Sequence, residues 1–211
     1  MKNTPKFYEL FYIFLFGSIF GYIIEVLWSY YRFRIFINHS ALVIGPFNIV
    51  YGITATIFSY ILYRFRRDNI FKIFIISFIV GTIAEYLLSL SMELLLGFTA
   101  WNYKRYFLNI NGRVCLKYSI FWGILGVIWI KLLFNKILII INKIPKRIGK
   151  YLMYILIIFL IFDSFLTLSA VNRAKNKEQG IEAKNSYERF LDNHYNKDYL
   201  NNMYNRRWNK K

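Results

Sequence analysis

One cysteine, Cys115, stands in a chain of 211 residues, and a lone thiol excludes an internal disulfide framework. Histidine is almost as scarce. His39 and His194 lie far apart in sequence, too few to build a zinc site with that single cysteine. No metal and no cofactor is therefore expected. The pattern Gly-x-x-x-x-Gly-Lys-Ser/Thr is missing, so the chain lacks the phosphate loop of an ATPase. No activated nucleophile or histidine base stands out either, which argues against an enzyme. Acidic residues are few, 11 against 28 Lys and Arg, for a net charge of +17. In a soluble protein that balance would suggest nucleic acid, but no recognisable reading module accompanies it. The basic residues sit between apolar segments and in the tail, where snorkelling and anionic headgroups account for them. Membrane lipid, and not nucleic acid, is the expected partner.

What the chain does have is apolar length. Hydrophobic residues make up 57% and aromatics 21%. Ser40 to Tyr63 carries no formal charge, enough to cross a hydrocarbon core of roughly 30 Å. Lipid offers no hydrogen bonds to the backbone, so such runs should be helices. The pattern predicts an all-α integral membrane protein with about five spans, near 7–31, 46–63, 70–96, 118–134 and 150–170. Segment 136–144 is short and amphipathic, suited to the interface, and Pro145 closes it. The transmembrane domain is expected over 1–171, with a polar, basic C-terminal tail at 172–211 whose helix, if any, lies near 178–190. The first run carries Glu25 and lacks a small-residue cleavage site, so it reads as a retained span rather than a signal peptide. Counting Lys and Arg does not separate the two sides cleanly, because the tail nearly evens them. The short basic loops 64–72 and 136–150 favour a cytoplasmic N-terminus in a bacterial plasma membrane.

Two spans share a pattern. Gly21, Glu25 and Ser29 recur as Gly81, Glu85 and Ser89, at spacings that place all three on one helix face. Gly17 extends the first stripe, and Glu93 the second. Spans one and three cross in the same direction, so the expectation is a parallel repeat of two helix hairpins plus a fifth span. Glu25 and Glu85 then sit at similar depth, and Asp163 of span five lies in the same leaflet. The plainer reading is helix packing through Gly17, Gly21 and Gly81, with the acids paired to Lys or Arg. Three unpaired acids in a membrane would be costly, which favours a polar cavity or ion path.

Two loops on the carboxylate side are unusual. The first contains Asn38-His39-Ser40 and Gly45-Pro46, leading to Tyr51-Gly52. The second contains Trp101-Asn102-Tyr103 and Asn111-Gly112-Arg113-Val114-Cys115-Leu116. Arg113 enters span four from the carboxylate side, so an Arg–carboxylate pair is expected. Headgroup anchoring is the simpler reading for Trp101, Tyr103, Lys104 and Arg105.

These motifs, with Gly21-x-x-x-Glu25, Glu85-Tyr86, Ser89, Met92-Glu93 and Asp163-Ser164, give the chain its likeness to a known group. Over roughly 10–170 it resembles the bacterial membrane family named for ABC-transporter permeases of the CmpB type. It departs from that family at Asn38-His39-Ser40, where Asn-Arg-Gly is favoured, and at Trp101-Asn102-Tyr103, where Trp-Asp-Tyr is favoured. The resemblance implies a transporter membrane subunit whose ATPase is supplied in trans and docks on loops 64–72 and 136–150. Glu25, Glu85, Glu93, Asp163 and Arg113 are its candidate substrate or ion path. Two other readings stand beside it: a non-catalytic membrane scaffold or assembly factor, and a membrane-embedded enzyme on lipid-linked substrates. So few spans leave little room for a complete pathway, so a homo- or hetero-oligomer is expected.

Overall fold

The computed structural model describes residues 4–99 and 101–203. Among them the architecture is all-α. Helix α1 spans Phe7–Phe33, α2 Ile49–Leu62 and α3 Ile70–Leu96; α4 spans Leu116–Ile128, α5 Phe134–Lys143 and α6 Lys146–Glu178. Two short helices, α7 (Ser186–His194) and α8 (Lys197–Met203), follow. Four helices are long and apolar enough to cross a membrane: Phe7–Phe33, Ile70–Leu96, Leu116–Lys143 and Lys146–Glu178. Ile49–Phe65, which is α2 with a closing 3₁₀ turn, is a shorter apolar helix.

The boundaries follow local chemistry. Glu9 accepts the backbone N–H of Lys6 at 2.8 Å and so caps the start of α1. Asn69 caps α3 by accepting the N–H of Lys72 at 2.8 Å. Gly97 ends α3 in the left-handed region, at φ 71°, with its N–H on the Glu93 carbonyl.

The first two helices pack as one hairpin and α3 with α4 as a second. Small residues make both close. A Cβ on Gly17 would lie 2.9 Å from that of Ala55, and one on Gly21 would collide with Tyr51. In the second hairpin, a Cβ on Gly81 would reach Trp122 at 2.5 Å.

Sequence and structure differ in how the fourth span ends. A π-helical turn at Trp129–Leu133 joins α4 to α5, giving one helix from Leu116 to Lys143. The amphipathic pattern of 136–144 is present, but its apolar face serves the bundle. Phe134, Ile137 and Ile141 are buried in the main core with Tyr12, Ile13, Phe58, Leu62 and Ile73.

The last of the four long helices, α6, also runs past its expected end, to Glu178. Beyond it, Leu191, Leu200 and Met203 of α7 and α8 fold back into a second core. There they meet Val43 of the 34–48 loop, Leu96 and Phe98, and Leu166, Ala170 and Val171 of α6. That core seals the end of the bundle from which the two long loops emerge.

Candidate functional site

The last turns of α1 and the second half of α3 bring Glu25 and Glu85 to one cavity of about 530 Å³. Both loops contribute to its walls, through His39, Ser40 and Ala41 on one side and Trp101 and Tyr103 on the other. The aromatic rings of Trp28, Tyr51, Tyr118, Phe121 and Trp122 complete most of the lining.

Each carboxylate has its own phenol. Tyr51 donates to Glu25 Oε1 at 2.8 Å, and Tyr103 donates to Glu85 Oε1 at 3.1 Å. The second oxygens differ. Glu25 Oε2 lies 3.9 Å from His39 Nδ1, too far for a hydrogen bond, while His39 Nε2 sits 2.6 Å from Ser29 Oγ. Glu85 is only 4% exposed. The Trp122 indole faces this carboxylate, yet Oε2 is buried without a partner in hydrogen-bond geometry.

Tyr103 is held in place by its loop. Its ring stacks on Tyr118 at 4.5 Å between centroids, and its N–H donates to the Gly112 carbonyl at 2.7 Å. Burial first, and then the neighbouring Glu85, push the Tyr103 phenol well above its ordinary range, which keeps it a donor. The loop closes on itself around Asn111 and Gly112, both at positive φ, 52° and 69°. Trp101 clasps the returning limb of the loop by donating its indole N–H to the Arg113 carbonyl at 2.8 Å.

Arg113 forms an ion pair with Glu93, reaches Ser89 Oγ at 3.4 Å and lies over the Tyr86 ring at 5.8 Å. Asn111 donates to the same Tyr86 hydroxyl at 2.9 Å. The hydrogen bond to Glu93 raises the Arg113 guanidinium further above its already high value. Neither partner lines the cavity; the Glu93 side chain is half exposed, at 48%.

Asp163 is placed elsewhere again. It is fully buried on α6 and accepts the N–H of Ile44 at 3.1 Å, next to Thr167, which accepts the N–H of Val43 at 3.0 Å. Together they clamp the first loop to α6. Inside that loop Asn38 accepts the N–H of Ser40 at 2.8 Å. The Ser40 hydroxyl sits 2.8 Å from the carbonyls of both Leu42 and Gly45. Gly45, at φ 80°, turns the chain into Pro46.

The five charged candidates thus divide. Glu25 and Glu85 share a cavity, Glu93 and Arg113 pair outside it, and Asp163 fixes a loop. Sequence reasoning missed the tyrosines that serve the two acids and the Ser29–His39 contact. Tyr51 and Tyr103 stood inside quoted motifs, Tyr51-Gly52 and Trp101-Asn102-Tyr103, but in a chain with 18 tyrosines nothing marked them as partners of the acids. Among the described residues no group of three or more His, Cys, Asp or Glu side chains is gathered as a metal ion requires.

Residues 12–168 match the model of the family described as "Putative ABC-transporter type IV". No curated protein and no solved structure shows significant similarity to the chain.

Proposed function

Because the chain belongs to that family, we propose that it is the membrane (permease) subunit of an ABC-type system and that the Glu25–Glu85 cavity is its substrate or ion path. The observation that supports this reading best is the buried, unpartnered oxygen of Glu85 facing an open cavity. A buried acceptor left unmade costs about 1–3 kcal/mol, and a carboxylate within a membrane is expensive by itself. A ligand passing through the cavity gives that expense a use.

The chain crosses a plasma membrane five times in this reading. The carboxylates of α1 and α3 meet in one cavity, so the two helices run in the same direction and α2 brings the chain back between them. The two hairpins form a parallel repeat, each with a Gly-x-x-x-Glu-x-x-x-Ser face. Their serines also meet comparable partners: Ser29 the ring of His39, and Ser89 the guanidinium of Arg113. An ATPase supplied in trans docks at the opposite, basic end, on loops 64–72 and 136–150. The working unit is a homo- or hetero-oligomer in membrane lipid.

Purification of the tagged chain from its own host in mild detergent, followed by mass spectrometry, tests the proposal. A stoichiometric subunit with a phosphate loop is expected, retained equally by the wild type and by Glu85→Gln. Recovery as a homo-oligomer with no ATPase would overturn the transporter reading and leave the scaffold reading in its place.

A further inference from the structure

The cavity's chemistry is selective about charge. Two carboxylates face it, so an anion is repelled from both hairpins. Glu85 is more than nine-tenths buried and its Oε2 has no partner in hydrogen-bond geometry; apart from the Trp122 indole that faces the carboxylate, the cavity presents an acceptor with room for a further donor. Glu25, whose side chain is 30% exposed, presents the second carboxylate with one oxygen taken by Tyr51.

Among the described residues no cation of the chain pairs with Glu85, and the one that approaches Glu25 is His39, whose Nδ1 lies 3.9 Å from Oε2 and pairs with it only when protonated. Arg113 is engaged with Glu93. Lys117 lines the cavity, but it is exposed, and its ammonium lies over the rings of Tyr106 and Tyr118 at 5.6 Å from each. It makes no ion pair with either acid among the described residues. That arrangement also shows what the walls accept, since ring faces attract an ammonium group. Trp28, Phe121 and Trp122 add the same kind of surface to the lining.

A bare metal ion does not fit such a wall, because among the described residues no group of three or more His, Cys, Asp or Glu side chains is gathered. The volume of about 530 Å³ is that of a site for a small organic molecule. We infer that the cavity binds an organic cation with N–H donors, a protonated amine or a guanidinium. Its charged head lies between Glu85 Oε2 and Glu25, and its apolar body rests on the aromatic walls. The inference deepens the ligand-path reading above and depends on it for the site, but not on the ATPase.

The probe is tritiated tryptamine, an arylalkyl ammonium, measured by scintillation proximity on the full chain in nanodiscs of zwitterionic phosphatidylcholine. Saturable binding is expected, displaced by unlabelled tryptamine. Its neutral isostere tryptophol should compete at least about tenfold more weakly, the loss set by one unmade charged hydrogen bond. Glu85→Gln should weaken binding by a similar factor, and Asp68→Asn at the opposite end should leave it unchanged. If Glu85→Gln does not give a monodisperse protein, Glu25→Gln carries the same test. Absence of saturable tryptamine binding, equal competition by tryptophol, or wild-type affinity in both variants would overturn the inference. Loss of amine binding with a co-purified ATPase would sink the ligand class alone. Amine binding with no ATPase would sink the transporter alone.

Discussion

A buried carboxylate has to be answered by donors, and Asp163 is answered by backbone at one oxygen only, its Oδ2 being buried without a partner in hydrogen-bond geometry. Its Oδ1 accepts from Ile44 while Thr167 accepts from Val43, so two neighbouring amides of the first loop are satisfied from one face of α6. What the loop uses at 163 is an acceptor atom. Asp163→Asn therefore keeps the loop, whereas Asp163→Ala leaves the Ile44 amide unmade and costs about 1–3 kcal/mol. Thermal melting in detergent checks this, and equal losses for the two variants would show that the charge itself is needed. Gly112 poses a different problem. At φ 69° a side chain is strained by roughly 1–2 kcal/mol, and a Cβ there would sit 2.8 Å from Lys104 Cγ and 2.9 Å from Asn102 Oδ1. Gly112→Ala should lower the melting temperature and loosen Tyr103, whose N–H depends on the Gly112 carbonyl. Faster hydrogen exchange at that amide is the expected readout, and unchanged exchange would refute the link.

Among the elements, long apolar runs were the most legible part of the chain. Helices α1 and α3 begin and end within a few residues of the expected limits, because apolar length and the capping residues Asn69 and Gly97 act locally. The join of α4 to α5 was not legible. It depends on the π turn, where Trp129 donates to Ser59 at 2.9 Å and Lys131 Nζ reaches the carbonyls of Arg66 and Asp68, both at 3.0 Å. Those contacts span more than sixty residues of sequence, and no local period announces them. The tail was opaque for a similar reason. The buried apolar residues of α7 and α8, Leu191, Leu200 and Met203, find their partners only once α6 and the 34–48 loop are in place. In the site, the carboxylate pair was readable from the Gly-x-x-x-Glu spacing, but its phenol donors were not. The tail also carries a pH dependence. Arg173 grips Asp192 through two hydrogen bonds, at 3.0 and 2.9 Å. These hold the Asp192 carboxyl below the usual carboxylate range, so the folded tail binds that proton less readily than the unfolded one. The contribution is complete above the unfolded value of about 3.9 and disappears as the pH falls through the lower folded value. Limited proteolysis between residues 181 and 203 should accelerate in that acid window. Asp192→Asn should be cleaved faster at neutral pH and lose the acid step, and a step that persists in this variant would assign it to another group.

At the scale of the whole molecule, the number of membrane crossings turns on α2. With its 3₁₀ turn it runs Ile49–Phe65, and a helix of that length reaches only about 25 Å at 1.5 Å per residue, short of a hydrocarbon core of roughly 30 Å. Its neighbours offset the shortfall. It packs against α1, α3 and the π turn, so lipid meets little of it, and Arg66, stacked over Tyr63 at 3.7 Å, can extend its basic end to the interface. The basic residues of loops 64–72 and 136–150 gather at this same end, where Lys131 caps the chain after α2. The five-crossing arrangement therefore puts Phe36 and Asp68 on opposite faces of the membrane, with Asp68 cytoplasmic. In a Cys115→Ala background, Phe36→Cys should react with a membrane-impermeant maleimide in intact cells. Asp68→Cys should react only after permeabilisation. If both label from outside, α2 is a re-entrant helix and the crossing count is four. If the two labels exchange sides, the five crossings stand but the chain is inverted, and the basic end is no longer available to a cytoplasmic ATPase.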